Sequence, residues 1–272
     1  MRVCKDDTQS TVNCGDETRA EQKRKAETFH NLHIRGNPVV LFNAWDAGSA
    51  KAVARGGAKA IATSSWSVAV ANGFVDGERI PFDLAINNLR RIVSAVEVPV
   101  TVDLESGYGD RPEAVGMTIR MAIASGAAGC NLEDSFPADG KLRKPRDQAD
   151  RIACARQVAD EANTRFFLNA RTDVFFQRSA EHHDNTMLEE AIDRARLYAE
   201  AGADGLFAPG LVDVHLIRRL ADASQLPVNV MVADESPSVG VLAQNGVARV
   251  SYGPRPYLLA MKALEEAAQA AI

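Results

Sequence analysis

Three strand-like runs in this chain end in acid or base: Val-Pro-Val-Thr-Val-Asp103-Leu-Glu105, Gly-Cys-Asn-Leu-Glu133-Asp134 and Arg-Phe-Phe-Leu-Asn-Ala-Arg171-Thr-Asp173. An apolar run that finishes in charge puts its body in a core and its last residue at a rim. In an α/β barrel that rim is the C-terminal face, where active sites are built. Carboxylates converging with one arginine point to a divalent metal and an anionic substrate. Asp103 and Glu105 lie two apart, so both are expected on the same side of the rim. Glu133 ends the following strand, which adjoins the first in sequential barrel order. Oxygen-only ligands of this kind suit Mg²⁺, or Mn²⁺, with water completing the octahedron. Taken singly, each acid is equally well explained as a solvated loop residue or a helix cap, and Arg171 as a salt-bridge partner of barrel acids. The set at consecutive strand ends is what points to a site. Arg171 there can hold a carboxylate bidentately or neutralise charge growing on an oxygen.

Thr63-Ser64-Ser65-Trp66 ends another apolar run, and consecutive hydroxyls and N–H groups in a turn can cradle an anion. Ser-rich turns are common, so this signal is weak alone. Gly107, between Ser106 and Tyr108, would let backbone approach a ligand closely. Asp76 sits in a long loop after the serine turn and is placed to fold over the ligand. Other reactive types fail. His182 and His183 fall in a polar loop, and His30, His33 and His215 fall on helices with no paired acid in a recognisable motif. Cys130 and Cys154 read as packing residues. No lysine ends a strand, which argues against a Schiff-base aldolase.

These residues need elements to position them. A repeating unit supplies them: a helix ends at glycine plus a small residue, and a short apolar strand begins. Gly57-Ala58, Gly126-Ala127, Gly202-Ala203 and Gly246-Val247 each precede such a strand. Glycine past a helix end tolerates the left-handed turn into the next strand. With Val39–Phe42, Val98–Val102, Arg165–Ala170 and Val228–Met231 this makes eight candidate strands alternating with amphipathic stretches. That order reads as a (β/α)8 TIM-type barrel. A doubly wound open sheet is the other α/β choice, but no Gly-x-Gly-x-x-Gly follows an early strand. Residues 1–17 read as a disordered polar lead and residues 18–272 as one barrel domain with terminal helices. Thr18–His33 is expected to form a helix across the barrel floor.

The 272 residues, 46% hydrophobic and 25% charged, suffice for one such barrel. A net charge of −5 gives no basic field for nucleic acid. No apolar run approaches the roughly 18 residues of a membrane span. Cys4, Cys14, Cys130 and Cys154 have neither zinc-site spacing nor disulfide density, so a reducing cytoplasm fits.

On these residues the chain resembles the isocitrate lyase/phosphoenolpyruvate mutase superfamily, over roughly Leu41–Tyr252. Thr63-Ser64-Ser65-Trp66 is similar to its Ser-Gly carboxylate-binding turn. Asp103-Leu-Glu105-Ser-Gly107-Tyr108-Gly109 is similar to its Asp-x-Asp-x-Gly-Tyr-Gly metal motif. Leu132-Glu133-Asp134, Asn169-Ala-Arg171-Thr-Asp173 and Pro227-Val-Asn229-Val-Met231 match three further motifs in order. The resemblance implies Mg²⁺ held directly by Asp103, with Glu105 and Glu133 acting mainly through waters. It implies a 2-oxo acid or its enolate held by Ser64, Ser65 and Arg171; Trp66, Gly107 and Asn229 are further candidate contacts to the ligand, and Arg171 and Asp76 the candidate catalytic side chains. It also implies a homo-oligomer, dimer or tetramer, built by exchange of a C-terminal helix such as Pro256–Ile272, which carries Leu258, Met261 and Leu264 at helical spacing.

Departures from the family pattern narrow the chemistry. Family lyases carry a Cys and a His on the loop after the Ile-Glu-Asp strand; here that loop is Ser135-Phe-Pro-Ala-Asp-Gly-Lys-Leu-Arg-Lys144, with neither. The second metal aspartate is Glu105, and the lyases' glutamate after strand six is replaced around Ala208-Pro209-Gly210. The metal–enolate half is kept and the familiar acid half is missing. Decarboxylation of the oxaloacetate type fits best, because CO₂ leaves without protonation. Cleavage of a larger 2-methylisocitrate-like acid, with Asp139 or Lys141 as the acid, is the alternative. A 2-oxo acid binding protein without turnover is a third reading from another class.

Overall fold

The computed structural model describes residues 10–272, with side chains described from Arg19 onward. Helix α1 (Ser10–Asn31) starts ahead of the expected Thr18; residues 1–9 of the polar lead lie outside the described residues. Then follow β1 (Val39–Leu41), α2 (Ala47–Arg55), β2 (Ile61–Ala62), α3 (Ser65–Ala71), α4 (Phe82–Val93), β3 (Val100–Asp103), α5 (Pro112–Ala124) and β4 (Gly129–Glu133). The second half runs α6 (Pro145–Glu161), β5 (Phe167–Arg171), α7 (Asn185–Glu200), β6 (Gly205–Phe207), α8 (Val214–Ala223), β7 (Val228–Met231), α9 (Val239–Gln244), β8 (Arg249–Ser251) and α10 (Arg255–Ala271). All eight expected strands form. The predicted glycine punctuation holds too: Gly57, Gly126, Gly202 and Gly246 have φ of 91°, 88°, 94° and 81°, a region in which a Cβ would be strained.

The strands pair in parallel in the order β1-β8-β7-β6-β5-β4-β3-β2. A parallel bridge between Ala44 and Thr63 joins the two ends, and the Ala44 N–H donates to the Ala62 carbonyl at 2.8 Å. The sheet is therefore a barrel, which removes the open-sheet alternative. Two cores result. The larger lies between sheet and helices. The smaller fills the bottom of the barrel: Val39, Leu41, Ala60, Ala62, Ala128 and Phe167 meet Ala26 and Phe29 of α1. Each large apolar side chain buried there stabilises the fold by roughly 1.5–3 kcal/mol. Helix α1 thus plugs the floor, as expected.

Strand register fixes what lies above that plug. Asp103 pairs with Asn131, and Asn131 with Asn169. One layer higher, Glu133 pairs with Arg171 and Arg171 with Phe207. A polar layer and a charged layer are stacked over an apolar floor.

Candidate active site

At the C-terminal end of the strands a cavity of about 180 Å³ is lined by Asn43, Ser64, Ser65, Trp66, Asp76, Asp103, Asn131 and Arg171 on its polar side, with Ser251 and Gly253 beside them. Phe176, Phe207, Pro209, Met231 and Pro254 form the apolar wall. Six of the expected residues therefore share one pocket: Ser64, Ser65, Trp66, Asp76, Asp103 and Arg171.

Asp103 closes β3. Its backbone N–H is held by Thr63 Oγ1 at 2.9 Å, and its Oδ2 accepts from the Ser65 N–H at 3.2 Å and the Ser65 hydroxyl at 2.9 Å. The serine turn does cradle an anion, but that anion is the protein's own Asp103. Ser64 is engaged too, capping α3 by accepting from the Ser67 N–H at 3.3 Å. The other Asp103 oxygen, Oδ1, is buried and has no hydrogen-bond partner among the described residues.

Arg171 is fixed from two sides. It forks onto Asp173 (Nε–Oδ1 2.6 Å, Nη2–Oδ2 3.1 Å) and reaches Glu133 Oε2 at 2.8 Å. Burial works against the Arg171 charge, but Glu133, Asp173 and Asp103 more than offset it and its pKa is raised. Glu133 is pushed up to about 8 by burial, opposed by Arg171. With a guanidinium 2.8 Å away that stays charged, the Glu133–Arg171 pair is an ion pair. Both readings of Arg171, site cation and partner of barrel acids, hold together. Asp76 is exposed as a residue, yet its carboxyl lies against the pocket wall; that burial, then the Asp103 charge, raise its pKa.

Four expected residues are not on the pocket wall: Glu133, which is turned to Arg171, and Glu105, Gly107 and Asn229. β3 ends at Asp103 and Glu105 has a φ of 52°, so the two-residue alternation stops before it reaches Glu105. Its buried carboxylate turns to the Gly77 N–H, 2.8 Å away, and to the Glu78 N–H. Glu78 replies by accepting from the Ser106 hydroxyl at 2.7 Å and the Tyr108 N–H at 2.8 Å. The Asp76 loop is thereby clasped to the loop after β3. Burial and then Asp76 push the Glu105 pKa up to about 7. Gly107 faces Leu132, Val115 and Arg151, behind the site. Asn229 lies below the cavity, accepting from the Ser251 hydroxyl at 3.2 Å.

The loop after β4 folds back on itself through a Ser135–Leu142 bridge. Asp139 and Lys141, the alternative acid donors, pair with each other at 2.8 Å on its exposed turn. Neither lines the cavity, because each already has its counter-charge in the other.

Reading the sequence missed the framework behind the charges. Asp134 is 0% exposed and accepts from Arg194 Nη1 at 3.0 Å, the Tyr198 hydroxyl at 2.8 Å and the Asp173 N–H at 2.9 Å. It anchors the residue that orients Arg171. It also missed Asn131, inside β4, and Asn43, just past the first strand. Among the described residues no cluster of three or more His, Cys, Asp or Glu side chains is set to cage a metal. One free carboxylate oxygen is what Mg²⁺ needs, since it keeps several waters and takes one or two carboxylates besides substrate oxygens. Asp103 fits that demand, and Mn²⁺ would be met in the same way.

The family model for phosphoenolpyruvate phosphomutase matches residues 29–272. The 2-methylisocitrate lyase of Salmonella typhimurium is 30% identical over 74% of this chain and 68% of its own length. An oxaloacetate decarboxylase of a Bradyrhizobium strain is 30% identical over 67% of this chain and 62% of its own. A crystal structure from Burkholderia cenocepacia, described as a candidate phosphonomutase, superposes with a TM-score of 0.90 at 56% identity. That match covers 92% of this chain and all of the other. The chain belongs to the phosphoenolpyruvate phosphomutase family, within the isocitrate lyase/PEP mutase superfamily of lyases and mutases, and is an enzyme of that superfamily.

Proposed function

We propose that this protein is a Mg²⁺-dependent carbon–carbon lyase acting on a small 2-oxo dicarboxylate, with decarboxylation of the oxaloacetate type as its reaction. One observation carries the reading: a buried carboxylate oxygen without a partner, Asp103 Oδ1, lines the same cavity as the fixed cation Arg171. Asp103 would hold the metal directly, with Glu133 and Glu105 acting through water. Mg²⁺, when bound, supplies Lewis acidity toward the 2-oxo group. Ser65 orients Asp103, and Ser64, Trp66 and Arg171 receive the substrate carboxylate. As the C3–C4 bond of oxaloacetate breaks, its electron pair moves toward the C2 oxygen and CO₂ departs. Arg171 meets the growing oxyanion, already charged and needing no reorganisation. Asp76, with its raised pKa at the rim, is suited to pass a proton to the enolate carbon. The cavity, about 180 Å³, is below the roughly 300–1,000 Å³ of drug-sized sites, which suits a small acid.

Assembly belongs to the same proposal. Leu258, Leu259, Met261 and Leu264 of α10 are exposed in the protomer. The outer face of β1, Val40 and Phe42, opens with Val53 and Leu32 onto a groove of about 670 Å³ with no acid on its wall. A helix following β8 would ordinarily cover β1. We assign that groove to α10 of a second copy, giving a homo-oligomer.

The test is turnover of oxaloacetate, methylisocitrate, isocitrate and phosphonopyruvate with Mg²⁺ and with EDTA. Mg²⁺-dependent release of CO₂ and pyruvate from oxaloacetate alone is expected. No turnover of any, with oxalate still raising Tm, would replace the lyase by a binding protein.

A further inference from the structure

Beneath the cavity floor lies a cation that the proposed chemistry does not use. Arg249 of β8 is 1% exposed and makes no ion pair with any described residue. Below it is the Phe29 ring of the plug, 5.9 Å from its guanidinium carbon. Above it are two cavity-lining residues: its Nη2 donates to Asn131 Oδ1 at 3.1 Å and its Nε to Ser251 Oγ at 3.3 Å. A guanidinium only donates, so the Asn131 atom facing it must be the carbonyl oxygen. A second donor, Asn169 Nδ2, reaches the same oxygen at 2.9 Å. With Oδ1 taken from below by two donors, the Asn131 NH₂ group is turned the other way. It bonds to no described residue and is not among the buried orphan atoms, so it opens on the cavity that Asn131 lines.

We infer that Asn131 is a ligand-binding residue, a donor on the cavity floor for the anionic oxygen of the bound acid, and that Arg249 is its positioning residue. Arg249 does two things for it. It forbids the flipped amide, which would set N–H against N–H, and it places a positive charge one hydrogen bond beneath the ligand. A floor of this kind accepts a carboxylate, oxo or enolate oxygen and rejects a cationic or donor group. The inference rests on the reading of the cavity as a 2-oxo acid site.

Oxalate with Mg²⁺ is the probe, read by calorimetry on the full-length protein, with Tm measured in parallel. Asn131→Asp keeps the size and the oxygen facing Arg249 but replaces the cavity-facing NH₂ by a carboxylate oxygen. It is expected to hold or raise Tm, because Arg249 gains a counter-charge, while oxalate affinity falls by about 10- to 100-fold with loss of a donor to a charged group. Arg249→Lys retains part of the affinity and Arg249→Met loses more. Should the Met variant fail to fold, the side-chain amide resonance of Asn131, assigned by its loss in Asn131→Asp, supplies the readout; oxalate should shift it in the wild type. A merely structural Asn131 gives the reverse pattern, a lower Tm with affinity intact, and overturns the inference. So does wild-type binding that leaves the Asn131 resonance unmoved. A wild type that binds no oxalate overturns the reading of the site and this inference with it.

Discussion

Asp134 offers the sharpest test of how the charged layer is held. Its carboxylate, fully buried, meets Arg194, Tyr198 and the Asp173 N–H at 2.8–3.0 Å. Asp134→Leu takes the buried counter-charge from Arg194 and leaves it only the half-exposed Glu190, 2.9 Å away, at a cost of up to about 3–5 kcal/mol. It also orphans the Asp173 N–H, at about 1–3 kcal/mol more. The sum, up to about 4–8 kcal/mol, is a large part of the 5–15 kcal/mol by which domains are stable. Adding Arg194→Met removes the buried charge, so the double variant should lose only about 1–3 kcal/mol, the share of the orphaned N–H. Urea unfolding followed by far-UV circular dichroism reads both. With m of about 3 kcal/mol/M the single variant shifts the midpoint by up to about 1.3–2.7 M and the double variant by less than about 1 M. A double variant as unstable as Asp134→Leu would refute the idea that the buried Arg194 charge dominates. Losses below about 1 kcal/mol throughout would refute the anchor itself.

Asp103→Ala should abolish Mg²⁺ binding by calorimetry and turnover while far-UV dichroism stays unchanged; wild-type activity at saturating metal would remove Asp103 from the site. The Glu105 pKa, raised from 4.5 to about 7 by burial and Asp76, means the folded protein keeps a proton that the unfolded chain releases. That contribution, about 3 kcal/mol, is fully present below about pH 4.5 and lost as pH rises through about 7. In EDTA, Glu105→Gln should flatten the fall in stability across that window, and profiles that stay parallel would count against it. Trypsin should cut the apo protein after the exposed Lys141 on the loop following β4, and oxalate with Mg²⁺ should slow that cut; equal rates would mean the loop does not close over ligand. Leu264→Glu lies on an exposed face of the protomer, so it should leave folding intact yet dissociate the oligomer in light scattering. An unchanged mass would place the interface elsewhere.

The order of strands and helices was legible because each unit is punctuated locally, by glycine after a helix and charge after a strand. The pocket acid Asp103, the cation Arg171 and its partner Glu133 were legible for the same reason. What failed to show depends on backbone angle or on distance along the chain. Glu105 looked like a second acid on the pocket wall until its left-handed φ turned it to the Asp76 loop. Asp134 and Arg194 are 60 residues apart and nothing local pairs them. Asn131 sits mid-strand and Arg249 opens β8, and a polar residue in a short apolar run carries no sign of which way it faces. The serine turn was read as a cradle for an anion; that the anion is Asp103 required the β2–β3 pairing, which sets Thr63 and Ser65 beside the end of β3.

The first turn of α10 ties the mouth of the pocket to the outer surface. Tyr257 stands edge-on to Trp45 at 5.1 Å and to Trp66 at 5.9 Å between ring centres, and the apolar stripe begins one residue later at Leu258. On the proposed assembly the helix would act as a short lever, carrying the packing of its far end to an aromatic ring on the pocket rim. Dilution, by releasing that far end from a second copy, would then become a variable of the enzyme's rate as well as of its mass, and specific activity should fall with protein concentration before the fold does.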